Sequence, residues 1–175
     1  AYNDHSVAVT RSGSLHGIGR NDDGRISSSL AKNDIKQFTD FSISDGNGHQ
    51  LEPVSAACSV YGTLYMLTKS SGRGRQLVLY DCEINDHQPV FLDIGDECPV
   101  SLFGGCAHTA AINEKGEVIF INRSAVKNSP SSPIASSSLP GGEKAASVAC
   151  LEKSVFVLSS SGRVFESKVE SSSSV

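Results

Sequence analysis

Residues 108–120 read HTAAINEKGEVIF, and this stretch decides the fold. Two short apolar runs, residues 110–112 and 118–121, flank the sequence Glu114-Lys115-Gly116. Short runs rich in Val, Ile and Phe are typical of β-strands. Gly116 stands where a hairpin turn requires a positive φ angle. The stretch therefore predicts a β-hairpin.

The same hairpin pattern recurs three more times in the 175 residues. Apolar runs begin near Val7, Leu64 and Val155, and Gly13 and Gly162 occupy the turns of the first and last copies. The copy that begins at Leu64 is looser, because the sequence of its turn is longer. No segment shows a sustained helical period with helix caps.

A short segment that ends in cysteine precedes each of the last three hairpins. These cysteines are Cys58, Cys106 and Cys150, which are 48 and 44 residues apart. Short strands that recur with a period near 46 residues predict the blades of a β-propeller. We therefore predict an all-β chain of about three to four blades, with a propeller segment over 1–170 and a serine-rich tail over 171–175. The predicted repeats are approximately 1–58, 59–106, 107–150 and 151–170.

With these motifs the chain resembles the regulator-of-chromosome-condensation (RCC) repeat family. The family signature is a His-Thr-Ala-Ala-type strand, a Gly turn, a second strand, and then Gly-x-Asn-x-x-Gly-Gln-Leu. Residues 108–120 match the first half, as do residues 5–13, and residues 19–26 match the second half with Arg-Ile in place of Gln-Leu. The resemblance implies a seven-bladed propeller. Since this chain supplies about half of one, we expect it to need further blades or a second chain to close the ring.

The residues that repeat or close these units are predicted to have structural roles. We predict that Cys58, Cys106 and Cys150 are free, buried and equivalent by position, as small apolar residues would be. A metal site at Cys106 and His108 is less favoured, because zinc ligands are usually clustered in sequence. The predicted structural positions are His5, Gly13, Asn21, Gly24, Cys58, Cys106, His108, Gly116, Cys150 and Gly162.

No sequence motif indicates a catalytic, cofactor-binding or metal site. Gly17, Gly19 and Gly24 do not have the spacing of a phosphate-binding loop, and no helix pattern follows them. The two histidines at the repeat position, His5 and His108, have no nucleophile motif beside them. We therefore expect a protein that is not an enzyme.

Charge and cysteine content restrict the partners and the compartment. A net charge of −4 and a pI near 5.7 argue against direct nucleic-acid binding. No apolar run is long enough to span a membrane. Five cysteines without a CxxC pair favour reduced thiols in the cytoplasm or the nucleus.

The resemblance implies a protein-interaction propeller that binds its partner through loops on one face. One branch of the family exchanges guanine nucleotide on the small GTPase Ran, so a Ran-like GTPase is a candidate partner, although no exchange residues can be carried over. The alternatives are a structural repeat segment of a larger multidomain protein and, less favoured, a propeller enzyme.

A long low-complexity segment, residues 124–142, is predicted to be a loop. It contains Ser129 and Ser132, each followed by proline, and phosphate on either serine would add negative charge that favours an Arg-rich partner. The segment is therefore either a regulatory contact or a disordered linker.

Overall fold

The computed structural model of the protein describes residues 5–30, 33–58, 63–70, 74–81, 88–92, 94, 99–105, 108–121 and 134–168. Nearly all of the regular structure in these ranges is β, and no helix there is long and apolar enough to cross a membrane. The strands are β1 His5–Val9, β2 Leu15–Gly19, β3 Ile35–Phe41, β4 Pro53–Cys58, β5 Thr63–Ser70, β6 Gly74–Asp81, β7 Val90–Leu92, β8 Pro99–Gly104, β9 Thr109–Asn113, β10 Val118–Ile121, β11 Ile134–Ser137, β12 Ala145–Cys150, β13 Ser154–Ser159 and β14 Val164–Lys168.

The strands form four antiparallel sheets, which we call blades 1 to 4. Blade 1 is β1-β2-β3, blade 2 is β4-β5-β6-β7, blade 3 is β8-β9-β10-β11 and blade 4 is β12-β13-β14. In each blade consecutive strands are neighbours, as in a meander. The prediction of an all-β chain built from a few propeller blades is confirmed.

Blades 2 to 4 begin in the same way, which shows that they are structural repeats. Their first residues, Pro53, Pro99 and Ala145, are spaced 46 residues apart, and the pairing register shifts directly after each of them. The predicted repeats are displaced from these blades by one strand. Residues 59–106, for example, contain β5, β6 and β7 of blade 2 together with β8 of blade 3.

The core lies between the blades. Blades 2 and 3 are covered on both faces, so their inner strands are apolar without alternation, which is expected for a sheet buried on both sides. Leu64, Tyr65, Met66 and Leu67 are consecutive and all buried. Leu64 and Met66 pack towards blade 1, whereas Tyr65 and Leu67 pack towards blade 3.

The predicted equivalence of the three cysteines is wrong for Cys106. Cys58 and Cys150 end the first strands of their blades, but the first strand of blade 3 ends at Gly104, two residues before Cys106. The three cysteines are 48 and 44 residues apart, whereas the first strands of blades 2 to 4 begin at a constant spacing of 46 residues. Cys150 is free and buried. Cys106 and the side chain of Cys58 lie outside the described residues.

The predicted loop at 124–142 is also corrected. Ile134–Ser137 is the fourth strand of blade 3, because β10 supplies its backbone with hydrogen-bond partners, and Pro140–Gly142 forms a single 3-10 turn. Ser129, Ser132 and the tail 171–175 lie outside the described residues.

Candidate functional site

A meander places its connections alternately at the two ends of each blade. At one end, here called the turn end, are the hairpin turns at residues 10–14, 113–117 and 159–163. At the opposite end, here called the loop end, are residues 20–30 between β2 and β3 and the connections around residues 105 and 151. The candidate site lies at the loop end, where residues 20–30, here called the 20–30 loop, form the most extensively bonded connection among the described residues.

Asn21 organises the 20–30 loop from inside. Its side chain is fully buried, and its Oδ1 accepts hydrogen bonds from the backbone N–H groups of Ile26 at 2.9 Å and Ser27 at 3.1 Å. Its Nδ2 donates to the carbonyl oxygen of Ser27 at 3.1 Å. Gly24, with φ of +76°, donates its N–H to the carbonyl of Asn21 and closes the turn. One amide side chain thus satisfies three backbone groups that no strand pairs.

Ile26 fixes the same loop in the core. It is completely buried between blades 1 and 2, and a Cβ atom placed on Gly17 would lie 2.3 Å from its Cγ2 atom. Strand β2, which carries Gly17, follows the hairpin turn of blade 1 as β6 and β10 follow those of blades 2 and 3. The residues that correspond to Gly17 on β6 and β10 are Leu79 and Phe120. A glycine in blade 1 therefore leaves the space that Ile26 fills. Sequence reasoning missed this pair, although a glycine inside an apolar strand was a usable signal.

Tyr80 connects the 20–30 loop to blade 2. Its hydroxyl oxygen accepts a hydrogen bond of 2.8 Å from the backbone N–H of Ser28. The tyrosine itself is buried in the core shared by blades 1 and 2. The loop is consequently held by two blades at once, and Tyr80 is a second contributor that the sequence did not indicate.

The outer surface of the 20–30 loop carries two Arg–Asp ion pairs. Arg20 donates from Nε to both carboxylate oxygens of Asp22, at 2.8 and 2.9 Å. Arg25 donates from Nε to Asp23 Oδ1 at 2.8 Å, and its Nη2 contacts Asp23 Oδ2. The hydrogen bond from Arg25 lowers the pKa of Asp23 to about 2, and the one from Arg20 lowers the pKa of Asp22. Both acids are therefore ionised at neutral pH, and the loop presents ordered, paired charges of both signs.

The two repeat histidines lie five residues before Thr10 and Asn113, whose carbonyls accept the hydrogen bonds that close the hairpin turns. His5 is buried in blade 1. His108 donates from Nε2 to the carbonyl oxygen of Glu152 at 3.1 Å, which links blade 3 to blade 4. Among the described residues, no three His, Cys, Asp or Glu side chains could together hold a metal ion.

Cys150 lies at a close approach of blades 3 and 4. A Cβ atom on Gly105 would lie 2.0 Å from the carbonyl oxygen of Cys150, so only glycine fits there. The thiol is 3.8 Å from the carbonyl oxygen of Phe103, and burial raises its pKa to about 11. A thiol with such a pKa is a poor nucleophile at neutral pH, so this position is structural.

The turn glycines lie at the opposite end of the blades. Gly13, Gly116 and Gly162 have φ angles of +88°, +82° and +87°, and each donates its N–H to the residue three positions earlier. Of the predicted positions, the structure therefore brings Asn21 and Gly24 together in one loop and places these three glycines away from it.

Comparison with known proteins identifies the fold. No protein-family model and no curated protein sequence matches the chain. Among solved structures, human WBSCR16 superposes with a TM-score of 0.67 at 14% identity, over 96% of this chain and 46% of that protein. Prp20p from Saccharomyces cerevisiae, a yeast RCC1, superposes with a TM-score of 0.63 at 14% identity, over 94% and 43%.

The chain therefore has the RCC1-type β-propeller fold, and it spans less than half the length of these two propellers. Prp20 has been solved bound to Kap60, and Prp20p has been described with its binding properties to Gsp1p and histones. YCF48 from Cyanidioschyzon merolae superposes more loosely, with a TM-score of 0.53 at 15% identity, over 95% of this chain and 53% of that protein.

Proposed function

We propose that the chain is a protein-interaction propeller segment that binds its partner at the loop end, through the 20–30 loop. The observation that carries this proposal is the anchoring of that loop by Asn21, Ile26 and Tyr80. The Arg20–Asp22 pair and the Asp23 carboxylate remain exposed to solvent on its surface. A loop that is already ordered loses little conformational entropy when a partner binds. Paired charges of both signs favour orientation and specificity in a protein–protein contact.

The partner that we propose is a protein of the Ran-like small GTPase class, met in the cytoplasm or the nucleus. The resemblance in residues 5–26 and 108–120 supports this class, as does the fold shared with Prp20p, which has been described with binding to Gsp1p. The proposed action is binding rather than a reaction catalysed on the chain's own side chains. Nucleotide exchange would in addition require that the nucleotide-free GTPase binds more tightly than the loaded one.

The test is the affinity of the chain for a Ran-like GTPase, measured by biolayer interferometry in the nucleotide-free and the loaded state. Arg20→Glu reverses one charge on the 20–30 loop and should weaken binding about tenfold or more, since a buried interface arginine often contributes above 1.4 kcal/mol. Lys69→Glu at the turn end is the matched control, because Lys69 is also exposed and paired with a carboxylate, that of Glu52.

Three results separate the parts of this proposal. Equal loss of binding in both variants would remove the loop end as the contact surface. Measurable binding of only the loaded GTPase would exclude exchange. Binding of neither nucleotide state would remove the GTPase as the partner.

A second candidate function, a structural segment of a larger propeller, is supported by the short span of the chain relative to WBSCR16 and Prp20p. It predicts that Arg20→Glu and Lys69→Glu are both without effect on binding of a Ran-like GTPase.

A further inference from the structure

The hairpin of blade 2 is longer than the corresponding hairpins of the other three blades. The residues that open the hairpin turns are equivalent in all four blades, and they are Thr10, Thr68, Asn113 and Ser159. In blades 1, 3 and 4, three residues separate this position from the residue that closes the turn. In blade 2, seven residues, 69–75, separate it from its cross-strand partner Gln76. The insertion adds two residue pairs to the ladder, which lengthens the hairpin by about 7 Å.

The insertion leaves a buried hydroxyl group without a hydrogen bond. In each of the three short turns, the side chain of the opening residue accepts a hydrogen bond from the N–H of the residue four positions later, at 3.0, 2.8 and 3.1 Å. Thr68 is 1% exposed, and its Oγ1 has no hydrogen-bond partner among the described residues. A buried polar group without a partner lowers the stability of the fold. The longer hairpin is therefore obtained at the expense of a turn cap.

Two cations lie directly opposite each other in the added part of the ladder. Lys69 pairs with Arg75 across the two strands, so their side chains project from the same face of the sheet. Like charges in this position destabilise a ladder. Lys69 lies 3.3 Å from a carboxylate oxygen of Glu52. Arg75 donates from Nη1 to the carbonyl oxygen of Val100 at 3.0 Å. Only one carboxylate among these described contacts therefore faces the two cations.

Both features lower stability, and the described side chains of the insertion bring no packing in return. Lys69 and Arg75 are exposed and lie outside the core. A segment that departs from the local rules of its fold without a gain in packing is expected where a protein contacts another molecule. Residues 68–80 contain three cations and no acidic residue. An arginine beside a lysine suits carboxylate groups, which arginine can bind through two parallel hydrogen bonds.

The number of charges favours an acidic protein segment over a nucleic acid. Proteins that bind nucleic acids through the backbone often contact about six to ten phosphates. Three cations on a chain with a net charge of −4 are too few for such a contact. We propose that residues 68–76, here called the blade 2 hairpin, form a second protein-contact surface that binds an acidic segment of a partner protein. This surface lies at the turn end, away from the 20–30 loop, and does not depend on the function proposed for that loop.

The first test is the binding of a fluorescein-labelled hexaglutamate peptide, measured by fluorescence anisotropy at about 20 and 150 mM salt. The chain should bind the peptide, more weakly at the higher salt concentration, and Arg75→Glu should weaken binding at least about tenfold. Arg11→Glu is the matched control, because Arg11 is exposed in the short turn of blade 1 and its substitution changes the net charge equally. It should change the affinity less than about twofold.

Three results of this test would overturn the proposal. The first is the absence of binding by the wild-type chain at a peptide concentration of about 1 mM. The second is an equal loss of affinity in Arg75→Glu and Arg11→Glu, which would mean that the peptide responds only to net charge. The third is tighter binding of a short DNA duplex than of the peptide, which would assign the blade 2 hairpin to nucleic acid.

The second test asks whether the insertion serves binding or folding. Residues 69–75 are replaced by Ser-Ser-Gly, the sequence of the short turn at 160–162. Because Thr68 then regains an N–H group four positions later, the midpoint of thermal unfolding should rise by about 2–4 °C, while peptide binding should be lost. A lower midpoint, or unchanged peptide binding, would contradict the proposal. The affinity for a Ran-like GTPase should stay the same in this variant and in Arg75→Glu, so the two proposed surfaces can fail independently.

Discussion

The interface between blades 1 and 2 and the interface between blades 3 and 4 are built from the same repeat by different means. Between blades 1 and 2 the core is completed by a side chain from a loop. Ile26 of the 20–30 loop occupies the space above Gly17, and Asn21 holds that loop in place. Between blades 3 and 4 the two backbones meet directly, at Gly105 and Cys150. At the first interface a connecting loop becomes an ordered surface, whereas the second interface is made by close backbone packing and by the hydrogen bond from His108 to Glu152. This difference is why the candidate binding surface lies on blade 1.

The largest effect is expected from Asn21→Ala. The substitution leaves two buried N–H groups and one carbonyl without partners, which should lower the free energy of unfolding by about 3–4 kcal/mol. Chemical denaturation followed by circular dichroism measures the loss. Asp22→Ala, on the outside of the same loop, is the control and should cost at most about 1 kcal/mol, since exposed ion pairs contribute little. Similar losses for the two variants would mean that Asn21 is not the anchor.

Gly105→Ala tests the interface between blades 3 and 4. The added Cβ meets a backbone carbonyl rather than a movable side chain, so the blades must separate, at a cost of about 2–3 kcal/mol. Gly46→Ala is the matched control, because a Cβ there has no atom within 4 Å, and its effect should be close to zero. Equal unfolding midpoints for the two variants would contradict the close approach.

Cys150→Ser should cost about 1–2 kcal/mol, because it buries a hydroxyl whose nearest acceptor is distant. The same burial predicts slow reaction of the wild-type thiol with a thiol reagent. Since the folded-state pKa is raised to about 11 from 9.0, stability from this group is full below pH 9 and is lost as the pH rises through 11. Rapid labelling of Cys150 in the native protein at pH 7, followed by mass spectrometry, would contradict its burial.

The smallest effect concerns the ion pair of Asp23 and Arg25. The pKa of Asp23 is depressed to about 2 from 3.8, so its stabilising contribution is present above pH 4 and lost as the pH falls towards 2. Because the carboxylate is partly exposed, only a small change in stability is expected. Titration of the Asp23 carboxyl by NMR measures the pKa directly, and Arg25→Ala should return it towards 3.8. An Asp23 pKa that is unchanged by that substitution would remove Arg25 as the cause.

The blades could be predicted from the sequence because local signals agreed with one another. Residues 108–121 combine β-branched runs with a turn glycine, and the structure has β9 and β10 there. The fourth strand of blade 3 could not be predicted, because Ile134–Ser137 has little strand propensity of its own and depends on pairing with β10. The end of the first strand of blade 3 at Gly104, rather than at Cys106, could not be predicted either, because it depends on the register in which β8 pairs with β9.

The candidate site was predictable only in part, for a similar physical reason. Asn21 and Gly24 form a local motif, and their contacts lie within the 20–30 loop. The roles of Ile26 and Tyr80 depend on other parts of the chain. Ile26 needs the space above Gly17, and Tyr80 on blade 2 binds Ser28, which is 52 residues earlier in the sequence. Such contacts are properties of blade packing, which a pattern within one repeat does not contain.

Amide hydrogen exchange tests most directly whether the 20–30 loop is a preformed surface held by blades 1 and 2. The N–H groups of Ile26 and Ser27 bond to Asn21, and that of Ser28 bonds to Tyr80, so all three should exchange as slowly as amides within β5, through global unfolding. In Asn21→Ala these three amides should exchange faster than those of β5, whose protection should fall only by the loss of global stability. Exchange of these three amides in the wild-type chain at the rate of an open surface loop would contradict the account.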